Sequence, residues 1–235
     1  MDIEVYADAE SAAREAARIL AAEARESAAA RGRVLMAVSG GSAPLPMFRA
    51  LAGEDVPWDK VQLFQVDERV APAGNPDRNF LHLRECLLDH VPLPRANIHP
   101  MPVEDADPAA AAARYEATLK SVAGSPPVLD LVHLGLGPDG HTASLVPGDP
   151  VLDIADAEVA LSGPYQGRLR MTLTFPVINR ARRILWLVTD GEKAAMLVRI
   201  RAGDPSIPGG RVRHDGALIV ADRAAAAKLD HKRES

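Results

Sequence analysis

Cysteine is nearly absent: the 235-residue chain has one, Cys86. A lone thiol excludes an internal disulfide and a cysteine-based metal centre. It falls in a segment with helical apolar spacing, which favours a buried, inert thiol over a nucleophile. Long apolar runs are also missing. No stretch approaches the roughly 18 residues of a membrane-spanning helix, so no membrane partner is expected. The first long segment is studded with Arg and Glu and lacks the apolar centre of a signal peptide, so a cytoplasmic protein is the expectation. A basic excess is lacking: 27 Lys and Arg stand against 32 Asp and Glu, for a net charge of −5. With acids and bases interspersed, nothing resembles a nucleic-acid face. No His, Asp and Glu cluster shows metal-ligand spacing, so no metal is expected. No linker, repeat or low-complexity segment divides the chain, and residues 1–235 read as a single α/β domain.

What is present is ordinary globular material, 47% apolar and 25% charged. Strand candidates are 3–6, 33–38, 58–66, 129–134, 159–162, 170–174, 184–188 and 216–220. Helix candidates are 8–30, 44–52, 80–90, 108–122, 175–180, 191–200 and 223–228, and 142–146 can begin a short one. Residues 91–107 hold several prolines and read as irregular. A Gly163-Pro164 turn is expected to join two of the strands. The polar tail after Asp230 is expected to fray. Strands alternating with helices predict a largely parallel open sheet with helices on both faces.

The most informative stretch is 129–148. An apolar strand breaks into Gly135-Leu136-Gly137-Pro138-Asp139-Gly140 and delivers His141. The glycines match Gly-x-Gly-x-x-Gly after a strand, with Asp156 and Glu158 about 20 positions on, which is the dinucleotide fingerprint. That fingerprint normally opens the first βαβ unit, whereas this one lies past mid-chain with a histidine directly after it. A plain surface turn is a second reading. The favoured one is a catalytic loop, with a titratable imidazole at the carboxyl end of a buried strand. Of the other histidines, His133 lies within the apolar strand and reads as a core residue.

Other strand ends carry polar clusters, which an open α/β sheet gathers at one edge. Ser39-Gly40-Gly41-Ser42 is a strand-to-helix turn whose bare backbone lets an anion approach several N–H groups. No Gly-Lys-Ser/Thr closes it, so it suits a single phosphate rather than a nucleoside triphosphate. A tight turn with serine capping is the alternative. Asp67-Glu68-Arg69 ends another strand. There Arg69 can hold an anion or polarise a carbonyl, or form a structural ion pair. Arg78 is a second candidate anion clamp, with a solvated loop arginine as the alternative. Lys193, in the first turn of its helix, opposes the macrodipole, which is easier to understand if it faces an anion.

At these residues the sequence resembles the 6-phosphogluconolactonase family. The matching stretches are Val38-Ser39-Gly40-Gly41-Ser42-Ala43-Pro44, Val66-Asp67-Glu68-Arg69, Asn75-Pro76-Asp77-Arg78-Asn79, residues 135–144 with Pro147-Gly148, and Gly191-Glu192-Lys193. They run in family order across nearly the whole chain. Ala43 departs from the threonine or serine often found there. The resemblance implies a fold shared with glucosamine-6-phosphate deaminases and ribose-5-phosphate isomerases. It implies hydrolysis of 6-phospho-D-glucono-1,5-lactone, a small-molecule sugar phosphate, to 6-phosphogluconate in the pentose phosphate pathway, without a cofactor. Carried over by position, His141 is the general base supported by Asp139, and Arg69 lies near the lactone carbonyl. The 39–42 loop, Asp67, Arg78 and Lys193 fall among the substrate-binding elements. A deaminase on the same fold is the closest rival, with Asp67 and His141 to serve as its base and acid; Arg69 stands where deaminases typically carry an aromatic residue. A sugar-phosphate sensor domain is more distant, since the α/β pattern leaves no room for a DNA-binding segment. A monomer or small homo-oligomer is expected.

Overall fold

A computed structural model describes residues 1–229. The strands are β1 (Asp2–Tyr6), β2 (Val34–Val38), β3 (Val61–Gln65), β4 (Asp67–Arg69), β5 (Ile98–His99), β6 (Leu131–Leu134), β7 (Val159–Tyr165), β8 (Arg168–Leu173), β9 (Arg183–Val188) and β10 (Ala217–Asp222). The helices are α1 (Ala9–Arg31), α2 (Pro44–Leu51), α3 (Asn79–Cys86), α4 (Pro108–Ala123), α5 (Phe175–Arg180), α6 (Ala194–Arg201) and α7 (Arg223–Ala226). Seven strands form one parallel sheet in the order β1-β10-β9-β6-β2-β3-β5, as expected from the alternation of elements.

The sheet is buried on both faces, and β2 shows why its sequence is a continuous apolar run. Val34, Met36 and Val38 point into a core built with α1, α2 and α3, while Leu35 and Ala37 point into a second core on the opposite face. Helix α1 starts where the Asp8 side chain accepts the Ser11 N–H at 2.7 Å, and alanines fill its buried stripe. From β2 the chain winds outward through β3 and β5; from β6 it winds the other way through β9 and β10. The winding therefore reverses between β2 and β6. At that point the carboxyl ends of neighbouring strands diverge and leave a crevice.

A second sheet, absent from the sequence reading, runs antiparallel in the order β4-β8-β7. The chain leaves the main sheet at Val66, whose N–H donates to Val38, and the next three residues pair with β8. The 163–164 pair is not the turn. It lies inside β7, an edge strand beside a register shift, where proline is tolerated. The turn is Gln166-Gly167, both with positive φ (52° and 76°), the geometry that matches strand twist.

Residues 142–146 form no helix. Ala143 has φ 51°, Thr142 bridges Leu145, and the Thr142 hydroxyl donates to the Gly135 carbonyl at 2.9 Å. Side-chain hydrogen bonds displace the helical ones here. The segment after β5's partner β3 is shorter in helix than expected: α3 stops at Cys86 and a separate 3-10 turn spans Leu88–His90. Two residues in the proline-rich stretch pair with β3 as β5, too few to leave a pattern. The tail after Asp230 lies outside the described residues. Among those described, no helix is long and apolar enough to cross a membrane.

Candidate active site

The 39–42 loop leaves β2 at the winding reversal. The Ser39 N–H donates to the His133 carbonyl at 3.2 Å, tying the loop to β6, and the Ser39 hydroxyl is buried with no partner among the described residues. Gly40 lies against Asn79: a Cβ there would fall 2.1 Å from the asparagine side chain. Only glycine lets these two segments approach so closely.

Strand alternation sorts the next cluster. Asp67 and Arg69 face the cleft, and Glu68 faces away. Glu68 is fully buried and accepts the N–H groups of Arg69, Asn79 and Phe80, each at 2.8 Å, so it anchors the start of α3. Arg78, read from the sequence as a candidate anion clamp, lies in this cluster. Its side chain is 5% exposed, stands 3.2 Å from Glu68, and donates to Glu104 at 2.8 Å and the Ala71 carbonyl at 3.0 Å. It does not line the cleft.

The Asp67 carboxyl accepts the Ser144 hydroxyl at 2.6 Å and stands 3.3 Å from the Asn79 amide. Burial pushes its pKa up, and the Ser144 hydrogen bond with the nearby Arg69 and Arg170 only partly oppose this. Arg69 donates to the Asp77 carbonyl at 2.6 Å, and its Nε is buried without a partner among the described residues. Directly across the β4–β8 pair stands Arg170, 4% exposed, its Nε also without a partner among the described residues. Like charges opposed on one face of a sheet repel. Burial, then the neighbouring Arg69, lowers the Arg170 pKa, yet a guanidinium stays charged. Arg69 and Arg170 thus place two apposed cations on one wall of the cleft.

The 135–141 loop brings the imidazole to the same cleft. His141 Nδ1 is 2.6 Å from Asp139 Oδ1, and the His141 N–H donates to that oxygen at 3.1 Å. With Nδ1 carrying the proton toward the carboxylate, Nε2 is the bare nitrogen of the neutral ring. The other Asp139 oxygen accepts the Tyr165 hydroxyl at 3.1 Å. Burial pulls the Asp139 pKa upward, but the N–H and ring of His141 with the Tyr165 hydroxyl outweigh it, and the net shift is downward. Gly137 is required for packing: a Cβ there would fall 2.1 Å from His141 Nδ1.

Lys193 ends the 3-10 turn Gly191–Lys193 that leads into α6. Its side chain is 14% exposed, 3.4 Å from Glu192 and 3.9 Å from Asp190. The structure thus brings Ser39, Gly40, Gly41, Ser42, Asp67, Arg69, His141 and Lys193 to one cleft, with Asp139 behind the histidine. Sequence reasoning missed Arg170, Tyr165, Asn79 and Ser144. An Arg168-Leu169-Arg170 alternation was a signal for the first; Asn79 and Ser144 lie inside stretches that match the family, and Tyr165 depends on contacts with distant segments.

A family model described as glucosamine-6-phosphate isomerases/6-phosphogluconolactonase matches residues 7–220. The chain belongs to this family. Within the 6-phosphogluconolactonase branch, the protein of that name from Synechocystis is 42% identical over 198 residues, covering 81% of this chain and 82% of its own length. The solved 6-phosphogluconolactonase of Trypanosoma brucei superposes with a TM-score of 0.84 at 27% identity, covering 97% of this chain and 98% of that one. A monomeric glucosamine-6-phosphate deaminase reaches a TM-score of 0.85 at 18% identity, covering 97% of this chain and all of its own, a likeness of fold. The 6-phosphogluconolactonase relatives thus agree with this chain in sequence as well as in fold. The winding reversal that opens the cleft belongs to the shared architecture, while the Asp139–His141 pair is carried on a loop.

Proposed function

We infer that the chain hydrolyses 6-phospho-D-glucono-1,5-lactone to 6-phospho-D-gluconate. The observation that carries this reading is the Asp139–His141 pair at 2.6 Å, facing a cleft whose other wall is cationic. A δ-lactone is an activated ester, so water needs only a general base. Nε2 of His141 takes a proton from water as its oxygen attacks C1. Asp139 holds the ring and stabilises the imidazolium that forms. Arg69 polarises the carbonyl and supports the oxyanion. The tetrahedral intermediate collapses, the C1–ring oxygen bond breaks, and His141 returns the proton to the departing oxygen. Water is added across one ester bond, with no change in oxidation state. A well-placed base of this kind contributes roughly 10²- to 10⁴-fold.

The phosphate carries close to two negative charges, which calls for more than one cation. Lys193 and Arg170, with the N–H groups of the 39–42 loop, supply the opposing charge and donors. Holding the phosphate fixes C1 against the base. The Asp67 carboxyl, braced by Ser144, is available to a sugar hydroxyl. A cytoplasmic setting suits the unpaired, buried thiol of Cys86.

The test generates lactone in place from glucose 6-phosphate with a dehydrogenase and follows acid release above the spontaneous rate. Glucosamine 6-phosphate is offered in parallel and ammonia measured. Accelerated acid release without ammonia is expected; ammonia without lactone hydrolysis would establish the deaminase reading instead. His141→Asn should lower kcat by about 10²-fold or more while KM stays close to native.

A further inference from the structure

Tyr165 touches both halves of this cleft. Its hydroxyl donates to Asp139 Oδ2 at 3.1 Å, leaving Oδ1 for His141. Its ring meets the His141 ring edge-on, with centroids 5.2 Å apart and planes at 63°. The Arg170 guanidinium carbon sits over the same ring, 4.9 Å from its centroid. One side chain therefore stands between the imidazole and a cation assigned to the phosphate.

The local fold makes this contact firm. Tyr165 is the last residue of β7, just after the register shift that follows Ser162. A bulge re-aims the side chain that follows it. The hairpin tip is tied down on several sides. Arg168 donates twice to Asp77, at 2.8 and 3.0 Å, and Asp77 also accepts from Arg69 through its carbonyl. The Gly163 N–H donates to Asp149 at 2.7 Å. Arg170 reaches Gln166 at 3.1 Å. Burial and the Asp139 carboxylate raise the Tyr165 pKa, so the phenol remains a donor.

We propose that Tyr165 is a positioning residue that sets the spacing between the base and the phosphate anchor. Its hydroxyl fixes the carboxylate that orients His141, and its ring face fixes the guanidinium of Arg170. The two parts have separable consequences. Orientation of the base is realised in the chemical step, so the hydroxyl acts on kcat. An anchor that grips the phosphate equally before and during reaction acts on KM. The proposal rests on the lactonase reading with His141 as base.

Tyr165→Phe keeps the ring and removes the hydroxyl. It should lower kcat about five- to ten-fold, the size of one net hydrogen bond, with KM within about two-fold of native. Tyr165→Leu removes the ring face as well. It should show the same fall in kcat and also raise KM about ten-fold, the scale of a desolvated cation–π contact. A purely structural role would not divide the two constants between the two variants. His141→Asn is assayed beside them. A Phe variant with native kcat, while the Asn variant is inactive, overturns the role of Tyr165 and leaves the base standing. A Leu variant with native KM overturns the ring's part. An Asn variant with native turnover overturns the lactonase mechanism itself, and the positioning role with it.

Discussion

His133 is a buried imidazole whose titration opposes folding, and replacing it should flatten the acid side of the stability curve. The ring projects from β6 toward Phe48 of α2, is 1% exposed, and among the described residues has no hydrogen-bond partner on either nitrogen. Burial pushes its pKa down from 6.5 to about 3. The folded protein therefore keeps it neutral across the mildly acid range, while the unfolded chain takes up a proton as pH falls through 6.5. The unfolded state binds more protons in that window, so stability is lost from about pH 6.5 downward and the loss levels off near pH 3. At 1.36 kcal/mol per pH unit, the cost is about 2 kcal/mol by pH 5 and approaches about 5 kcal/mol when complete. His133→Leu has similar volume, joins the leucines of the same core and removes the titration. Urea unfolding at pH 7 and pH 5 measures both proteins; the other ionisable groups are common to the two and cancel in the comparison. Between these values the native chain should lose about 2 kcal/mol more than the leucine variant. At pH 7 the variant should be at least as stable, since two unpartnered polar atoms have gone. Equal losses in the two proteins would refute the reasoning. The effect also bears on the site, because the His133 carbonyl holds the first N–H of the 39–42 loop.

Gly137→Ala puts a methyl 2.1 Å from His141 Nδ1, so it should cost kcat about 10²-fold or more while the melting temperature moves little; native kcat would contradict the packing described. Arg170→Leu should raise KM at least ten-fold, and inorganic phosphate should protect it less against heat than it protects the native chain, as thermal melts will show. Glu68→Ala leaves Arg78 buried beside unpaired α3 N–H groups, and should destabilise folding by about 3–5 kcal/mol in denaturant titration. EDTA should leave lactone hydrolysis unchanged in the coupled assay, since no step of the mechanism calls on a metal.

The loop glycines and the Asp139–His141 pair were legible because they are local. A carboxylate two residues before a histidine reaches it through one turn, and such a turn can be read from a few adjacent residues. Lys193 was legible for a related reason, as a charge at the wrong end of a helix. Arg78 was not. Its sequence neighbours allow a solvated loop arginine or an anion clamp, and the approach of Glu68 and Glu104 is a feature of the tertiary structure alone. The short helix expected after His141 failed because Thr142 and Ser144 spend their hydroxyls on Gly135 and Asp67, the second of them 77 residues away in sequence.

By itself, the sequence determined the parallel sheet covered on both faces, through unbroken apolar strands alternating with helices, and it determined where the polar strand ends would lie. Tertiary structure alone decided which side chains meet across the cleft. Arg69 opposes Arg170 because of the register of β4 on β8, and Tyr165 reaches Asp139 because β7 shifts register before a two-residue turn. Strand register moves every side chain to the other face with a slip of one residue. The register of β4 on β8 is set by pairing between segments about a hundred residues apart, which no local pattern of either segment records.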